Sequence, residues 1–268
     1  MTVLIIMLLL VGLYLFLIAP NRPGKDFSRL LKVDYAHRGL HGQEADVPEN
    51  SLAAFRKAVE AGYGIELDVQ CTLDGVLAVF HDETLKRMCG EEKRLADCTM
   101  EELQTYALSE TGERIPSFQA VLELVDGRVP LIVEIKPYQN VQSLAAAVFA
   151  ALSRYKGPYC VESFHPLVLR WFKRNAPETI RGQLAMGGHA HKGHQIRDLV
   201  LKHMLLNAFS RPDFIAYDFS TDRNITMGLM RKLFKPTFVA WTVRSKTQRD
   251  QAKKRYTIQI FEGFIPKD

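Results

Sequence analysis

Residues 35–82 read YAHRGLHGQEADVPENSLAAFRKAVEAGYGIELDVQCTLDGVLAVFHD, and this segment decides the fold. Within it, Ile65–Val69 alternates as a strand does, with Glu66 and Asp68 on one face and apolar residues on the other. A folding core has no need of carboxylates inside a strand, because burying an unpaired charge is costly. Two hard oxygen ligands side by side suit a divalent cation such as Mg²⁺ or Ca²⁺. The alternative is a pair of acids neutralised by nearby Arg or Lys side chains.

Two further apolar runs, residues 33–36 and 76–80, are predicted to be strands that end at His37 and His81. A lone histidine beside an apolar strand is more often a structural group than a catalyst. Here Arg38 and the glycines that follow it favour an open site for an anion. The guanidinium group presents a fork of donors that matches the oxygens of a phosphate.

The run at residues 130–136 is predicted to be another strand, with Glu134 and Lys136 on one face. An acid and a base at this spacing commonly form only an ion pair. Beside Glu66 and Asp68 they are interpreted instead as a third metal ligand and an ammonium group that binds phosphate. Polar groups at the ends of several strands are typical of the active-site face of a TIM barrel.

The rest of the chain continues the alternation of strands and helices. Strands are predicted at residues 33–36, 65–69, 76–80, 130–136, 159–163, 180–184, 214–217 and 238–242. A chain of 268 residues with 47% hydrophobic content suits one (β/α)₈ barrel of the α/β class, over residues 33–268. A doubly wound open sheet is the alternative, but no Gly-x-Gly-x-x-Gly follows the first strand.

The composition excludes several other classes of protein. The four cysteines show no Cys-x-x-Cys spacing, so they predict reduced thiols rather than a disulfide framework or a zinc site. The net charge of +5 suits a phosphate-bearing substrate or an anionic membrane surface, and it also suits many soluble proteins. No nucleic-acid partner is expected, and no protein partner is evident.

An uninterrupted apolar run covers residues 3–19 and just spans a bilayer core of about 30 Å. Residues 1–20 are therefore predicted to be a single transmembrane anchor, and residues 21–32 a basic juxtamembrane linker. A cleaved signal peptide is the alternative, but no Lys or Arg precedes the run and no small-x-small cleavage site ends it. The positive-inside rule predicts a single-pass membrane protein with the following domain on the cytoplasmic side.

The order and spacing of these motifs resemble the glycerophosphodiester phosphodiesterase family over about residues 34–268. The resemblance is carried by His37-Arg38-Gly39, Pro48-Glu49-Asn50-Ser51, Glu66-x-Asp68, Thr72-x-Asp74-Gly75, His81-Asp82 and Glu134-Ile135-Lys136, and more weakly by Glu162-Ser163-Phe164 and Trp241-Thr242-Val243. Each motif alone is weak, but their combination in this order is specific.

The resemblance implies roles for most of these residues. Glu66, Asp68 and Glu134 would hold one Mg²⁺ or Ca²⁺. His37 and His81 would act as general acid and general base, in an order that the sequence leaves open. Arg38 and Lys136 would bind the phosphate. Glu49 and Asn50 would support the site. Phe164 and Trp241 lie at predicted strand ends and would bind the substrate. Trp241 would stack on the substrate's glycerol, or it would only fill the barrel.

The implied reaction is metal-dependent hydrolysis of glycerophosphodiesters to sn-glycerol 3-phosphate and an alcohol, in glycerophospholipid metabolism. The 2-hydroxyl of glycerol would attack first, and water would then open the cyclic phosphate. The nearest alternatives are a lysophospholipase D acting on lysophospholipids and a phosphoinositide phospholipase C-like enzyme. An alternative of another class is a catalytically silent, membrane-anchored module that binds a lipid or a partner.

A Gly- and His-rich stretch at residues 187–194 carries His189, His191 and His194, and its function is left open. Such a run can bind a transition metal, although these loops more often serve only as solvated connections. Residues 196–209 are apolar over much of their predicted helix. Packing as a core helix is favoured there, and contact with a membrane near the active site is the hypothesis.

Overall fold

The computed structural model describes residues 1–22, 24–42, 46–187 and 195–266. Its strands are β1 Tyr35–Ala36, β2 Gly64–Cys71, β3 Leu77–Val79, β4 Leu131–Ile135, β5 Tyr159–Ser163, β6 Arg181–Ala185, β7 Phe214–Asp218, β8 Thr237–Val243 and β9 Ile258–Phe261. Its helices are α1 Thr2–Ile18, α2 Leu52–Ala61, α3 Lys86–Cys89, α4 Met100–Leu103, α5 Phe118–Val125, α6 Val141–Leu152, α7 Pro166–Asn175, α8 Gln195–Lys202, α9 Asn207–Ser210, α10 Ile225–Leu229 and α11 Lys246–Lys253. A 3₁₀ turn covers Leu95–Asp97 and a π-helical turn covers Met230–Phe234.

Eight of the strands close into a parallel barrel in the order β1, β2, β4, β5, β6, β7, β8 and β9, and β9 pairs with β1. Helices connect most of the successive barrel strands and pack on their outer faces. The predicted α/β class and closed (β/α)₈ barrel are therefore confirmed.

The strand predicted at residues 76–80 is not a barrel strand, so that assignment was wrong. It exists as β3 but pairs antiparallel with β2, with Val79 opposite Val69. The reason is the short turn at residues 72–75, because parallel neighbours need a connection of about a dozen residues or more. The eighth barrel strand is β9, which the sequence analysis missed.

The segment between β3 and α5 has a small core of its own. Phe80, Leu85, Leu95, Leu103 and Ile115 pack together there and are all buried. This core begins directly after β3, and it therefore holds the segment between β3 and α5 in place.

Apolar side chains fill the end of the barrel where the strands begin. Phe27 and Leu30 pack there against Tyr35 and Phe214, and Tyr35 Oη donates a hydrogen bond of 2.9 Å to the carbonyl oxygen of Leu30. The segment predicted as a linker therefore contacts the barrel and closes this end. The opposite end, which we call the mouth, is polar.

Helix α1 packs on the barrel through its C-terminal end. Ile18 is fully buried, and its carbonyl oxygen accepts a hydrogen bond of 2.8 Å from Asn207 Nδ2. Tyr14 Oη lies 2.6 Å from Thr226 Oγ1. Helix α1 has 17 residues, and no helix in the described part of the chain is long and apolar enough to cross a membrane. The transmembrane helix predicted over residues 1–20 is therefore not supported.

Candidate active site

Three carboxylates converge inside the mouth of the barrel. Glu66 and Asp68 project from β2 and Glu134 from β4, where Asp68 and Glu134 are register partners. All three side chains are buried, and one oxygen of each lies within 4.8 Å of the others. The period of two along β2 thus brings both acids to the barrel interior, as predicted.

The three carboxylates fit a divalent cation. Asp68 Oδ2 accepts a hydrogen bond of 2.8 Å from Asn50 Nδ2. Asp68 Oδ1 is buried and makes no well-aligned hydrogen bond within the part of the chain that the structure describes, although Lys136 Nζ lies 3.2 Å from it. Hard carboxylate oxygens at this separation are the ligands that Mg²⁺ and Ca²⁺ prefer.

Burial and neighbouring charges shift the acids of this cluster in opposite directions. Burial raises the pKa of Glu134 to about 7, although Lys136 Nζ lies 2.7 Å from Glu134 Oε1. Burial and the charges of Asp68 and Glu134 raise the pKa of Glu66 well above its usual range. Burial also disfavours the charge of Asp68, but Lys136 and Arg38 outweigh it and lower the pKa of that carboxyl. Asp68 is therefore the carboxyl of the cluster that ionises most readily.

The ring of His37, which follows β1, lies between two carboxylates. Its Nδ1 is 3.2 Å from Glu262 Oε2 and its Nε2 is 3.8 Å from Glu66 Oε2. The hydrogen bond from His37 lowers the pKa of Glu262 to about 2, so Glu262 is ionised and can only accept. Nδ1 therefore carries the proton of the neutral ring. Nε2 is left facing the carboxylate cluster, while burial lowers the pKa of His37.

The second histidine, His81, is held in a similar way. Its Nδ1 lies 2.6 Å from Asp82 Oδ1, and Arg87 Nε donates a 2.6 Å hydrogen bond to Asp82 Oδ2. Gln70 Nε2 donates to the carbonyl oxygens of Phe80 and Asp82 and so fixes this loop to β2. Burial lowers the pKa of His81. Since Nδ1 is engaged by Asp82, Nε2 is the nitrogen available to a substrate.

Arg38 lies beside the carboxylates and is positioned by Glu49. Arg38 Nη1 donates a 2.7 Å hydrogen bond to Glu49 Oε1, and Arg38 Nε is 3.4 Å from Asp68 Oδ2. Arg87 also donates to both oxygens of Glu49. Glu49 therefore holds the guanidinium group of Arg38 beside the carboxylates, and its supporting function in the site stays a prediction.

The loop before α2 brings its polar residues close to β2. Gly39 has a φ of +83°, and a Cβ there would lie 2.9 Å from Ala54 Cβ, so this approach requires glycine. Ser51 caps α2 by accepting from Ala54 N, whereas Asn50 has a φ of +54° and turns its amide towards Asp68. Asn50 thus contacts the carboxylate cluster, and its supporting function stays a prediction.

Phe164 and Trp241 lie together at the mouth. Their ring centroids are 5.6 Å apart in an edge-to-face arrangement. Trp241 Nε1 is buried without a hydrogen-bond partner in the described part of the chain, so it offers a donor to a bound molecule. The prediction that Trp241 contacts substrate glycerol is not tested by this geometry.

Two acids, Glu262 and Glu162, were assigned no role in the site from the sequence, although Glu162 lies in one of the weaker family motifs. Glu262 follows β9, and it was overlooked because β9 itself was not recognised. Glu162, opposite Glu134 on β5, is fully buried, and burial raises its pKa well above the usual range. Glu162 could have been identified from its position inside an apolar strand, because the same pattern identified Glu66.

Two further predictions concern residues 187–210. His189, His191 and His194 lie outside the described residues, so their proposed function stays open. The segment after them forms α8 and α9, with Leu205 packed against the core and Leu206 beside a cavity. Core packing accounts for Leu205, and the hypothesis of membrane contact stays a prediction.

Residues 37–264 match the glycerophosphoryl diester phosphodiesterase family. A glycerophosphodiester phosphodiesterase of Caldanaerobacter subterraneus subsp. tengcongensis is 36% identical over 173 residues, which are 59% of this chain and 69% of that protein. One from Bacillus altitudinis is 44% identical over 109 residues, 38% of this chain and 43% of that protein. The match to that second relative therefore spans less than half of its length.

Several solved structures share the fold of this chain. An Oleispira antarctica phosphodiesterase in complex with the product sn-glycerol-3-phosphate has a TM-score of 0.71 at 21% identity and covers 87% of this chain and 93% of its own. A glycerophosphodiester phosphodiesterase from Parabacteroides distasonis has a TM-score of 0.68 at 23% identity, with 89% and 94% covered. With the extent of the family match, the conclusion is plain: the chain belongs to the glycerophosphoryl diester phosphodiesterase family, whose members are phosphoric diester hydrolases.

Proposed function

We propose that this protein hydrolyses glycerophosphodiesters to sn-glycerol 3-phosphate and an alcohol, with one divalent cation, Mg²⁺ or Ca²⁺. The observation that carries the proposal is the cluster of Glu66, Asp68 and Glu134, which are buried within 4.8 Å of one another, with His37 Nε2 3.8 Å from Glu66 Oε2. A neighbour with this fold was solved with the product sn-glycerol-3-phosphate, which supports the same substrate class here. Breakdown of glycerophospholipids is the corresponding metabolic context.

The cluster would hold the cation, which supplies charge neutralisation and orientation to the bound phosphate. Arg38 and Lys136 would bind the phosphoryl oxygens and stabilise the negative charge that grows on them in the transition state. Both cations are already held close to the cluster, Lys136 by Glu134 and Arg38 by Glu49. They need little reorganisation when the substrate binds.

The two histidines would move the protons. In each, a carboxylate holds Nδ1, so Nε2 is the reacting nitrogen of both His37 and His81. One Nε2 takes the proton of the attacking hydroxyl group while the other gives a proton to the departing alcohol. The glycerol 2-hydroxyl attacks in the first step, and water opens the cyclic phosphate in the second. The histidine that acts as general base in the first step acts as general acid in the second, and the other histidine does the reverse. Both residues return to their starting states.

The test is release of glycerol 3-phosphate by the full chain from glycerophosphocholine and glycerophosphoethanolamine. Assays with Mg²⁺, with Ca²⁺ and with EDTA identify the cation, and His37→Ala serves as the blank. We expect activity that needs a cation and falls by about 10²-fold or more in His37→Ala and in His81→Ala. Absence of release from any phosphodiester substrate would favour the catalytically silent binding module.

Membrane attachment through residues 1–20, with the barrel on the cytoplasmic side, also stays a proposal. It is supported by the apolar side chains of α1, since Val3, Leu4, Leu8 and Leu9 are each at least 60% exposed. Flotation of the full chain with phospholipid vesicles, compared with a chain that lacks residues 2–11, tests attachment. Protease accessibility in sealed vesicles tests the side on which the barrel lies.

A further inference from the structure

A cavity of about 960 Å³ opens beside the carboxylate cluster. Glu134 and Lys136 form one end of the cavity, and Phe164 contributes to its wall. The cavity then extends between α7, α8 and α9. Its volume lies at the upper end of the range of about 300–1,000 Å³ that is usual for small-molecule sites. A glycerophosphate group bound at the cluster would occupy the polar end and leave the remainder free.

The remainder of the cavity is mostly apolar. It is lined by Leu167, Val200, Leu201, Leu206 and Phe209, and also by the polar or charged side chains of Tyr138, His165, Arg170 and Asp198. Leu167 and Phe209 are 49% and 48% exposed, although each is a large apolar side chain. Large apolar side chains gathered at the open end of a cavity mark a site for an apolar ligand.

Helix α9 connects the wall of the cavity to helix α1. Helix α9 supplies Phe209 to the cavity and also holds α1, through Asn207 Nδ2 and the carbonyl oxygen of Ile18. Next to α9, Arg211 Nη1 donates a 2.7 Å hydrogen bond to the carbonyl oxygen of Ala19. The wall of the cavity is therefore joined through α9 to the C-terminal end of α1.

We propose that the apolar part of this cavity binds an aliphatic chain of the substrate, and that the preferred substrates are glycerophosphodiesters bearing a fatty acyl or alkyl chain. The inference rests on the proposed function, because the phosphate must bind at the carboxylate cluster for the chain to reach this cavity. In the reaction the bond from phosphorus to the alcohol oxygen breaks. Water supplies the hydroxyl group to phosphorus and the proton to the alcohol.

The chain can be attached on either side of the phosphate, and the products distinguish the two. A 1-acyl lysophosphatidylethanolamine gives an acylated glycerol phosphate and free ethanolamine. A glycerophosphoalkanol gives glycerol 3-phosphate and a long-chain alcohol. Both series are assayed with chains short enough to stay monomeric in solution, and glycerophosphoethanolamine is the substrate without a chain. We expect kcat/KM to rise about two- to fourfold per methylene in one series until the cavity is full.

Variants connect this dependence on chain length to the cavity. Leu167→Ser and Phe209→Ser change half-exposed side chains and should leave folding intact, while Val200→Trp fills the cavity. Each is expected to flatten the dependence on chain length and to leave hydrolysis of glycerophosphoethanolamine unchanged. Ile225→Ser, which alters a 72% exposed residue of α10 that does not line the cavity, is the matched control.

The outcomes separate this inference from the proposed function. Hydrolysis of glycerophosphoethanolamine with no gain from a chain overturns the inference and leaves the proposed function standing. A gain that survives all three cavity variants places the chain elsewhere and also overturns it. If the protein were a dimer in solution that Phe209→Ser dissociates, and the length of the aliphatic chain had no effect on kcat/KM, the apolar wall of the cavity would be a contact with a second copy of the protein, and the inference would be overturned. No hydrolysis of any substrate contradicts the proposed function itself.

Discussion

Glu262 fixes the orientation of His37 because it accepts the hydrogen bond from Nδ1 at 3.2 Å. Glu262 is in turn held by Arg244, whose Nη2 lies 3.1 Å from Glu262 Oε2. A carboxylate in this position both selects the tautomer and stabilises the imidazolium form when the ring takes up a proton. Glu262 is thus a positioning residue that acts through His37.

We expect Glu262→Gln to lower kcat by about 10- to 100-fold, less than loss of the histidine itself, since the amide accepts a weaker hydrogen bond from Nδ1. KM should change by less than about twofold, because Glu262 does not contact the phosphate site. Steady-state kinetics on glycerophosphoethanolamine measure both constants. Arg244→Gln is the control, since it removes the neighbour of Glu262 but leaves the carboxylate in place. A rise in KM with kcat intact would contradict a positioning role.

The three clustered carboxylates repel one another at the mouth, and a cation that binds them stabilises the folded protein by linkage. We expect Mg²⁺ or Ca²⁺ at about 100 times its Kd to add about 2.7 kcal/mol. This corresponds to a rise in Tm of about 5–10 °C over the same protein in EDTA.

Glu134→Gln removes one ligand and should abolish most of this rise in Tm. Glu60→Gln, an exposed change on α2, should retain it. Thermal unfolding followed by circular dichroism measures the effect without any assay of activity. An equal rise in Glu134→Gln and in the wild-type protein would place the cation at another site.

At the scale of elements, the sequence predicted strand positions better than strand pairing. The alternation at Ile65–Val69 predicted both the strand and the face on which its acids lie. Side chains of a strand point alternately to its two faces, so once the apolar residues pack outward against the helices, Glu66 and Asp68 must point into the barrel. Pairing direction depends on the connection, and the short turn before β3 allowed only an antiparallel partner. The four residues of β9, Ile258–Phe261, gave too short a pattern to separate from the end of α11.

The loop after β7 is tied to its neighbours by a buried carboxylate. Asp222 is 1% exposed and accepts hydrogen bonds from Tyr256 Oη, Arg255 Nη1 and Arg231 Nη2. Burial alone would raise the pKa of Asp222, but these hydrogen bonds outweigh it and lower the pKa. This carboxylate joins the loop after β7 to the π-helical turn and to the segment before β9.

We expect Asp222→Asn to destabilise the protein by about 3 kcal/mol near neutral pH, because the two guanidinium groups lose their buried partner. The folded-state pKa of Asp222 lies below its unfolded value of about 3.9, so its contribution is complete above that value and is lost as the pH falls through the folded pKa. The difference in unfolding free energy between wild type and variant should therefore be constant from about pH 5 to 8 and shrink below about pH 4.

Urea denaturation across this pH range measures the difference for Asp222→Asn. The control is Asp250→Asn, an exposed change on α11 that should stay within about 0.5 kcal/mol of wild type at every pH. A destabilisation by Asp222→Asn that did not change with pH would show that the side chain acts by shape and not by charge.

Across the whole molecule, the barrel interior divides into an apolar layer where the strands begin and a carboxylate layer at the mouth. The sequence predicted the mouth layer because acids within apolar strands are exceptional, and residues such as Glu66 stand out. It did not predict the cavity, whose walls come from α7, α8 and α9 and depend on how separate elements pack. It also treated residues 21–32 as a linker, because a single Leu30 carries no visible sign that it fills the barrel end.

Helix α1 has two parts that should contribute differently to stability. Its last turn contacts the barrel through Tyr14 and the buried Ile18, and Phe16 lies under Arg211 with 4.7 Å between the guanidinium carbon and the ring centroid. Earlier residues such as Leu9 and Leu10 are largely exposed.

We therefore expect removal of residues 2–11 to change Tm by less than about 3 °C, because it deletes exposed side chains. Removal of residues 2–20 should cost about 3 kcal/mol, from the burial of Ile18 and from the hydrogen bond that Asn207 would lose, and should lower Tm by about 6–12 °C. Thermal unfolding of the three chains in the same mild detergent measures both effects, and Ile18→Ser in the full chain isolates the buried contact. Equal Tm values for the two truncations would show that α1 does not stabilise the barrel. A loss of stability confined to the longer truncation and to Ile18→Ser would show that the last turn of α1 is part of the fold, and the exposed residues before it would then be free to serve attachment to a lipid surface.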